Sequence, residues 1–182
     1  MDIDKKSGLV FQARYVQSPN CDDRPLDTAV DLLVIHNISL PPYQFGGPEI
    51  EQFFTNSLDH AQHPFFEEIR EMRVSSHFFI RRDGEIVQFV PTCKRAWHAG
   101  VSQFCGRERC NDFSLGIELE GSDFVEFEDA QYLSLTRLSR LLMMAYPGIK
   151  PENIVGHSDI APQRKTDPGP YFNWERLRNG LG

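Results

Sequence analysis

Val30-Asp31-Leu32-Leu33-Val34-Ile35-His36 is an almost unbroken apolar run that closes on a histidine. Apolar residues on both sides of the chain, rather than on alternate positions, mark a strand covered on both faces. Such a strand belongs in the middle of a sheet. Outward from it, Pro41-Pro42 and Gly46-Gly47-Pro48 punctuate a loop, and Pro48 with Glu49, Ile50, Phe53 and Phe54 predicts a short helix with proline at its start. Ser76 to Arg81 and Glu85 to Val90 read as two strands joined by the hairpin turn Asp83-Gly84. Ser114 to Glu120 alternates, with Leu115, Ile117 and Leu119 on one face and Gly116, Glu118 and Glu120 on the other. Glu128 to Tyr146 carries a helical stripe of leucines that stops before Pro147-Gly148. Asn153 to Gly156 makes a last strand leading to His157, and Trp174 to Leu181 a closing helix. Strands separated by helices, with one hairpin, predict a single α/β domain built on a central mixed β-sheet flanked by helices. In open sheets of that kind the ligand site lies beyond the carboxyl ends of strands, where His36 and His157 are expected.

The bulk properties narrow the function. A chain of 182 residues fits one domain, and 19 basic against 26 acidic residues give a formal charge of −7. That balance repels phosphate backbones and anionic lipid, so neither nucleic acid nor membrane is an expected partner. The first dozen residues have charges without an apolar segment after them, the pattern of a cytoplasmic chain, and we expect a monomer. Cys21, Cys93, Cys105 and Cys110 are too few for a disulfide scaffold and read as thiols. The phenylalanine doublets are mainly core, with Phe65-Phe66 the one that suits a groove surface.

Hydrolytic zinc sites use three protein ligands and leave one position open. His36 and His157 lie 121 residues apart, but neighbouring strands can bring their ends together. Asp167 precedes Pro168, which biases it to an extended backbone and sends Lys165 to the same side. A carboxylate ligand and a fixed cation then share one cleft. Glu118 is the preferred general base, being deeper in its strand, and Glu120, next to Gly121 and the expected solvent boundary, is its rival. His77 and His98 read as packed or supporting residues, and His60 and His63 as surface residues.

Val-Ile-His-Asn (34 to 37), Ser-His-Phe-Phe-Ile (76 to 80), Ala-Trp-His-Ala-Gly (96 to 100), Leu-Gly-Ile-Glu-Leu-Glu-Gly (115 to 121) and Gly-His-Ser-Asp-Ile-Ala-Pro-Gln-Arg-Lys-Thr-Asp-Pro-Gly (156 to 169) resemble, in order and spacing, the N-acetylmuramoyl-L-alanine amidases. The resemblance implies Zn2+ on His36, His157 and Asp167, Glu118 as base and Lys165 against the developing oxyanion. It also implies that Asn37, Trp97 and Arg109 line the groove for sugar and peptide, with Arg73 and Arg109 pairing peptide carboxylates. The implied substrate is a small muropeptide, in its 1,6-anhydro form, met in cytosolic cell-wall recycling. That activity would bear on β-lactamase induction, because muropeptides are the inducers. A non-catalytic muropeptide-binding module on the same fold is the alternative.

Overall fold

The computed structural model describes residues 1–182. Its centre is a six-stranded sheet of β1 (Arg14–Tyr15), β2 (Leu32–Ile38), β3 (Phe78–Ile80), β4 (Ile86–Gln88), β5 (Ser114–Glu120) and β6 (Ile154–Gly156), in the spatial order β6-β2-β5-β3-β4-β1. β5 runs parallel to both β2 and β3, β6 parallel to β2, and β1 parallel to β4, while β3 and β4 form the antiparallel hairpin. The helices are α1 (Glu49–Phe54), α2 (Pro64–Glu68), α3 (Asp129–Ala145), α4 (His157–Ile160) and α5 (Trp174–Leu181). The mixed sheet with flanking helices is the architecture expected. β5 and α5 begin and end where the sequence places them.

Period-two geometry sorts the strand residues into two faces. Leu33, Ile35, Leu115, Ile117, Leu119, Phe78, Ile80 and Ile154 face the leucine stripe of α3 and Leu177 of α5, forming the largest core. Leu135, Leu138 and Leu142 are wholly buried there. Each is worth about 1.5–3 kcal/mol of burial. At its start α3 is held by a reciprocal cap between Glu128 and Gln131, and Gln131 Nε2 also donates to the carbonyls of Ile80 and Glu120. The helix is thereby tied to two strands.

The reverse face is divided. Under β3 and β4, Phe79 and Val87 pack with Phe53, Phe54 and Phe66 of α1 and α2. Under β2, Leu32 and Val34 pack with Ala99, Cys110 and Phe113. Between these two apolar clusters lies the reverse face of β5, which offers Ser114, Gly116, Glu118 and Glu120. The fold therefore leaves a polar stripe in mid-sheet.

Three expectations need correction. β2 does not run from Val30 to an end at His36; it starts at Leu32 and continues through Asn37 and Ile38. His157, expected to end the last strand, is instead the first residue of the single-turn helix α4. Glu120 is not at the solvent boundary, being 1% exposed. Its carboxylate accepts from the backbone N–H groups of Gly46 and Arg82. The four cysteines stand free, and no helix is long and apolar enough to cross a membrane.

Candidate active site

Parallel pairing supplies the first alignment. Glu118 is the register partner of His36, and Gly156 is the partner of Ile35, so β6, β2 and β5 deliver His157, His36 and Glu118 from three adjacent strands. Asp167 comes from the chain after α4. It is drawn in by a hydrogen bond from Ser158 N–H to its carbonyl, 2.9 Å. Gly156 permits the approach, because a Cβ there would meet Pro168 Cδ at 2.7 Å.

His36 Nδ1 lies 3.0 Å from His157 Nδ1 and 3.0 Å from Asp167 Oδ2, and His157 Nδ1 lies 3.1 Å from that same oxygen. The three atoms form a nearly equilateral triangle. Ligands about 2.0–2.1 Å from a tetrahedral zinc stand roughly 3.3 Å from one another, close to this spacing. The chemistry of the donors also fits. Burial lowers the His36 pKa to about 4, against the Asp167 contact that raises it, so the ring is neutral at physiological pH. Burial would raise the Asp167 carboxyl, but hydrogen bonds from His157 and His36 outweigh it and hold the group below its ordinary value. A neutral His36 imidazole and an ionised Asp167 carboxylate are the protonation states a divalent cation requires of such ligands. The far nitrogens are occupied as well: His157 Nε2 sits 3.1 Å from the Ala99 carbonyl oxygen and His36 Nε2 sits 2.9 Å from His98 Nδ1.

Glu118 Oε1 stands 3.9 Å from His36 Nδ1, and Oε2 is buried without a hydrogen-bond partner. Burial pushes its carboxyl well above the ordinary value, Asp167 adds to the push and Lys165 opposes it. A carboxylate left uncommitted in such a place is suited to taking and returning a proton. Glu120, by contrast, is spent on two backbone donors. Geometry thus separates two carboxylates that alternation alone places on one face.

The triad, Glu118, Lys165 and Asn37 line the polar side of a cleft of about 270 Å³, whose other side is Phe53, Phe65, Ile69 and Met72. Asn37 donates to Asp123 Oδ1 at 2.8 Å. Of the other residues expected in the groove, Trp97 is half-buried, its backbone bonded to Ser75, and is not among the residues that line the cleft. Arg73 is exposed, with its guanidinium turned back onto the carbonyls of Arg70 and Met72. Arg109 is exposed, leans on Asp112, and lines a separate groove with Val101 and Arg164. The structure does not bring these three into the cleft. Sequence reasoning missed the apolar wall from α1 and α2 beyond Phe65. His98, read as a packed or supporting residue, lines the cleft beside His36.

The family model described as N-acetylmuramoyl-L-alanine amidase matches residues 26–170. The 1,6-anhydro-N-acetylmuramyl-L-alanine amidase AmpD of Escherichia coli (strain K12) is 60% identical over 173 residues, spanning 95% of this chain and 94% of the relative. The crystal structure of a Se-Met AmpD derivative superposes with a TM-score of 0.96 at 55% identity, covering all of both chains. The E. coli amidase AmiD, solved in complex with the substrate anhydro-N-acetylmuramic acid-L-Ala-D-γ-Glu-L-Lys, superposes with a TM-score of 0.61 at 34% identity, covering 86% of this chain and 60% of that one. With the match spanning His36, His157, Glu118 and Asp167, the chain belongs to the N-acetylmuramoyl-L-alanine amidase family and is an amidase of that kind.

Proposed function

We propose that this enzyme hydrolyses the amide between the lactyl group of 1,6-anhydro-N-acetylmuramic acid and L-alanine, as a monomeric cytosolic zinc amidase of cell-wall recycling. The observation that carries the reading is the convergence of His36 Nδ1, His157 Nδ1 and Asp167 Oδ2 beside an uncommitted Glu118. Those three atoms would hold the metal. Bound zinc supplies Lewis acidity toward the scissile carbonyl and toward water.

The chain's own residues do the rest. Glu118 takes a proton from the attacking water as its oxygen bonds to the carbonyl carbon. Lys165 faces the negative charge that grows on the carbonyl oxygen. As the carbon–nitrogen bond breaks, Glu118 returns the proton to the departing amine, leaving the sugar acid and a free stem peptide. The atoms balance with water as the one co-reactant. Asn37, held by Asp123, and the apolar wall of Phe53, Phe65, Ile69 and Met72 grip the substrate on either side of the reacting bond. Removal of inducing muropeptides would link the reaction to β-lactamase induction. The binding-module reading would need a set deficient in a ligand or in the base, and His36, His157, Asp167, Glu118 and Lys165 are all present.

The test is turnover of anhydro against reducing muropeptides before and after chelation. Turnover of the anhydro substrate should vanish with chelator and return with zinc. Activity indifferent to the chelator, or restricted to reducing muropeptides, would overturn the proposal.

A further inference from the structure

Each histidine of the triad turns one nitrogen toward Asp167 and one away, and the two that turn away meet the same short segment. His157 Nε2 reaches the carbonyl of Ala99 at 3.1 Å, and His36 Nε2 reaches Nδ1 of His98 at 2.9 Å. If Nδ1 of His36 is the ligand, its hydrogen is on Nε2, and His98 must accept at Nδ1. His98 then carries its own hydrogen on Nε2, which lies 3.1 Å from Ser114 Oγ, an oxygen able to accept it.

The packing leaves this ring little freedom. His98 stands edge-on to His36, with ring centroids 5.1 Å apart and planes at 89°. It lies against Gly116, where a Cβ would come within 2.7 Å of its Cγ and Nδ1. From behind, Asn111 Oδ1 accepts from the backbone N–H groups of both His98 and Ala99, at 3.1 and 2.8 Å. One amide oxygen so holds the two residues that engage the two histidines.

We propose that His98 is a positioning residue of the metal site: it holds His36 in the tautomer and orientation that free Nδ1 for zinc, with Ser114 fixing His98 in turn. The inference rests on reading the triad as a metal site, and it adds that zinc affinity depends on a ring that does not ligate.

The experiment is zinc affinity of the purified full chain, by competition with a chromophoric chelator. His98→Leu, which keeps bulk but cannot accept, should bind zinc about 10- to 100-fold more weakly. His98→Asn, whose Oδ1 occupies the place of Nδ1, should recover most of that loss, while thermal unfolding of the metal-free variants stays alike. Ser114→Ala should weaken zinc binding in the same direction by less. Wild-type affinity in His98→Leu, or an Asn variant no better than the Leu one, would overturn the proposal. Should His98→Leu fail to fold, Ser114→Ala decides: weaker binding supports the chain of hydrogen bonds and unchanged binding refutes it. A wild-type chain that takes up no zinc would bring down the metal reading itself, an outcome distinct from variants that all bind alike.

Discussion

The strand-borne centre and the loop-borne rim of the cleft are built by different rules. His36 and Glu118 sit on adjacent parallel strands and His157 directly follows a third, β6, so their mutual placement follows from register. Arg73, Trp97 and Arg109 come from connecting segments, and none of them lines the cleft. Register is discrete, since a slip by one residue turns every side chain to the opposite face, whereas loops have no such constraint. The centre is thus preset by the strands, whereas the placement of the loop residues is not.

The contrast can be broken from either side. The largest effect is expected for Asp167→Ala, which removes one of three converging donors; the variant should lose equimolar zinc and amidase activity together. Retained zinc would show that the two histidines suffice and that the triangle is not the ligand set. Next comes the pair of carboxylates on β5. Glu118→Ala should keep zinc and lose about 10²–10⁴-fold in kcat. Glu120→Ala should instead leave two backbone N–H groups unpaired and lower stability by about 1–3 kcal/mol for each, seen as a fall in Tm with kcat preserved below the transition. Exchange of those two outcomes would reverse the assignment of the base. The smallest effects belong to the rim. Arg73→Ala and Arg109→Ala should change stability by less than about 0.5 kcal/mol, as exposed positions do, and act on KM for the peptide-bearing substrate while zinc content stays the same. A collapse of kcat in either variant would mean that the rim closes onto the reacting bond.

The same division explains what was legible in the sequence. The alternation from Ser114 to Glu120, and for Trp174 to Leu181 the proline- and glycine-rich loop before it, gave both elements their true bounds. β2 was read short at its end because the apolar run stops where the strand begins to face the cleft. Asn37 and Ile38 are still paired, but the first has a polar task there. α4 spans four residues, too few for a helical period to register, and β1 has only two exposed residues on the sheet edge. The triad was legible because two of its members lie at the ends of strands and the third stands before Pro168 in a proline-rich segment. His98 was not, since its significance depends on which way each ring nitrogen points. Glu120 looked peripheral from its neighbour Gly121, yet the loop carrying Gly46 and the turn at Arg82 close over it.

One consequence of the parallel register lies in how the molecule is made. His36 and His157 are 121 residues apart along the chain, and β5 lies between β2 and β6 in sequence and beside β2 in space. Contacts this distant along the chain close late, after local helices and the hairpin have formed. On the proposed metal site, zinc uptake during refolding would therefore be a clock for completion of the sheet: helical signal should rise first, and the metal should be captured only when three non-neighbouring segments of the chain have found their common frame.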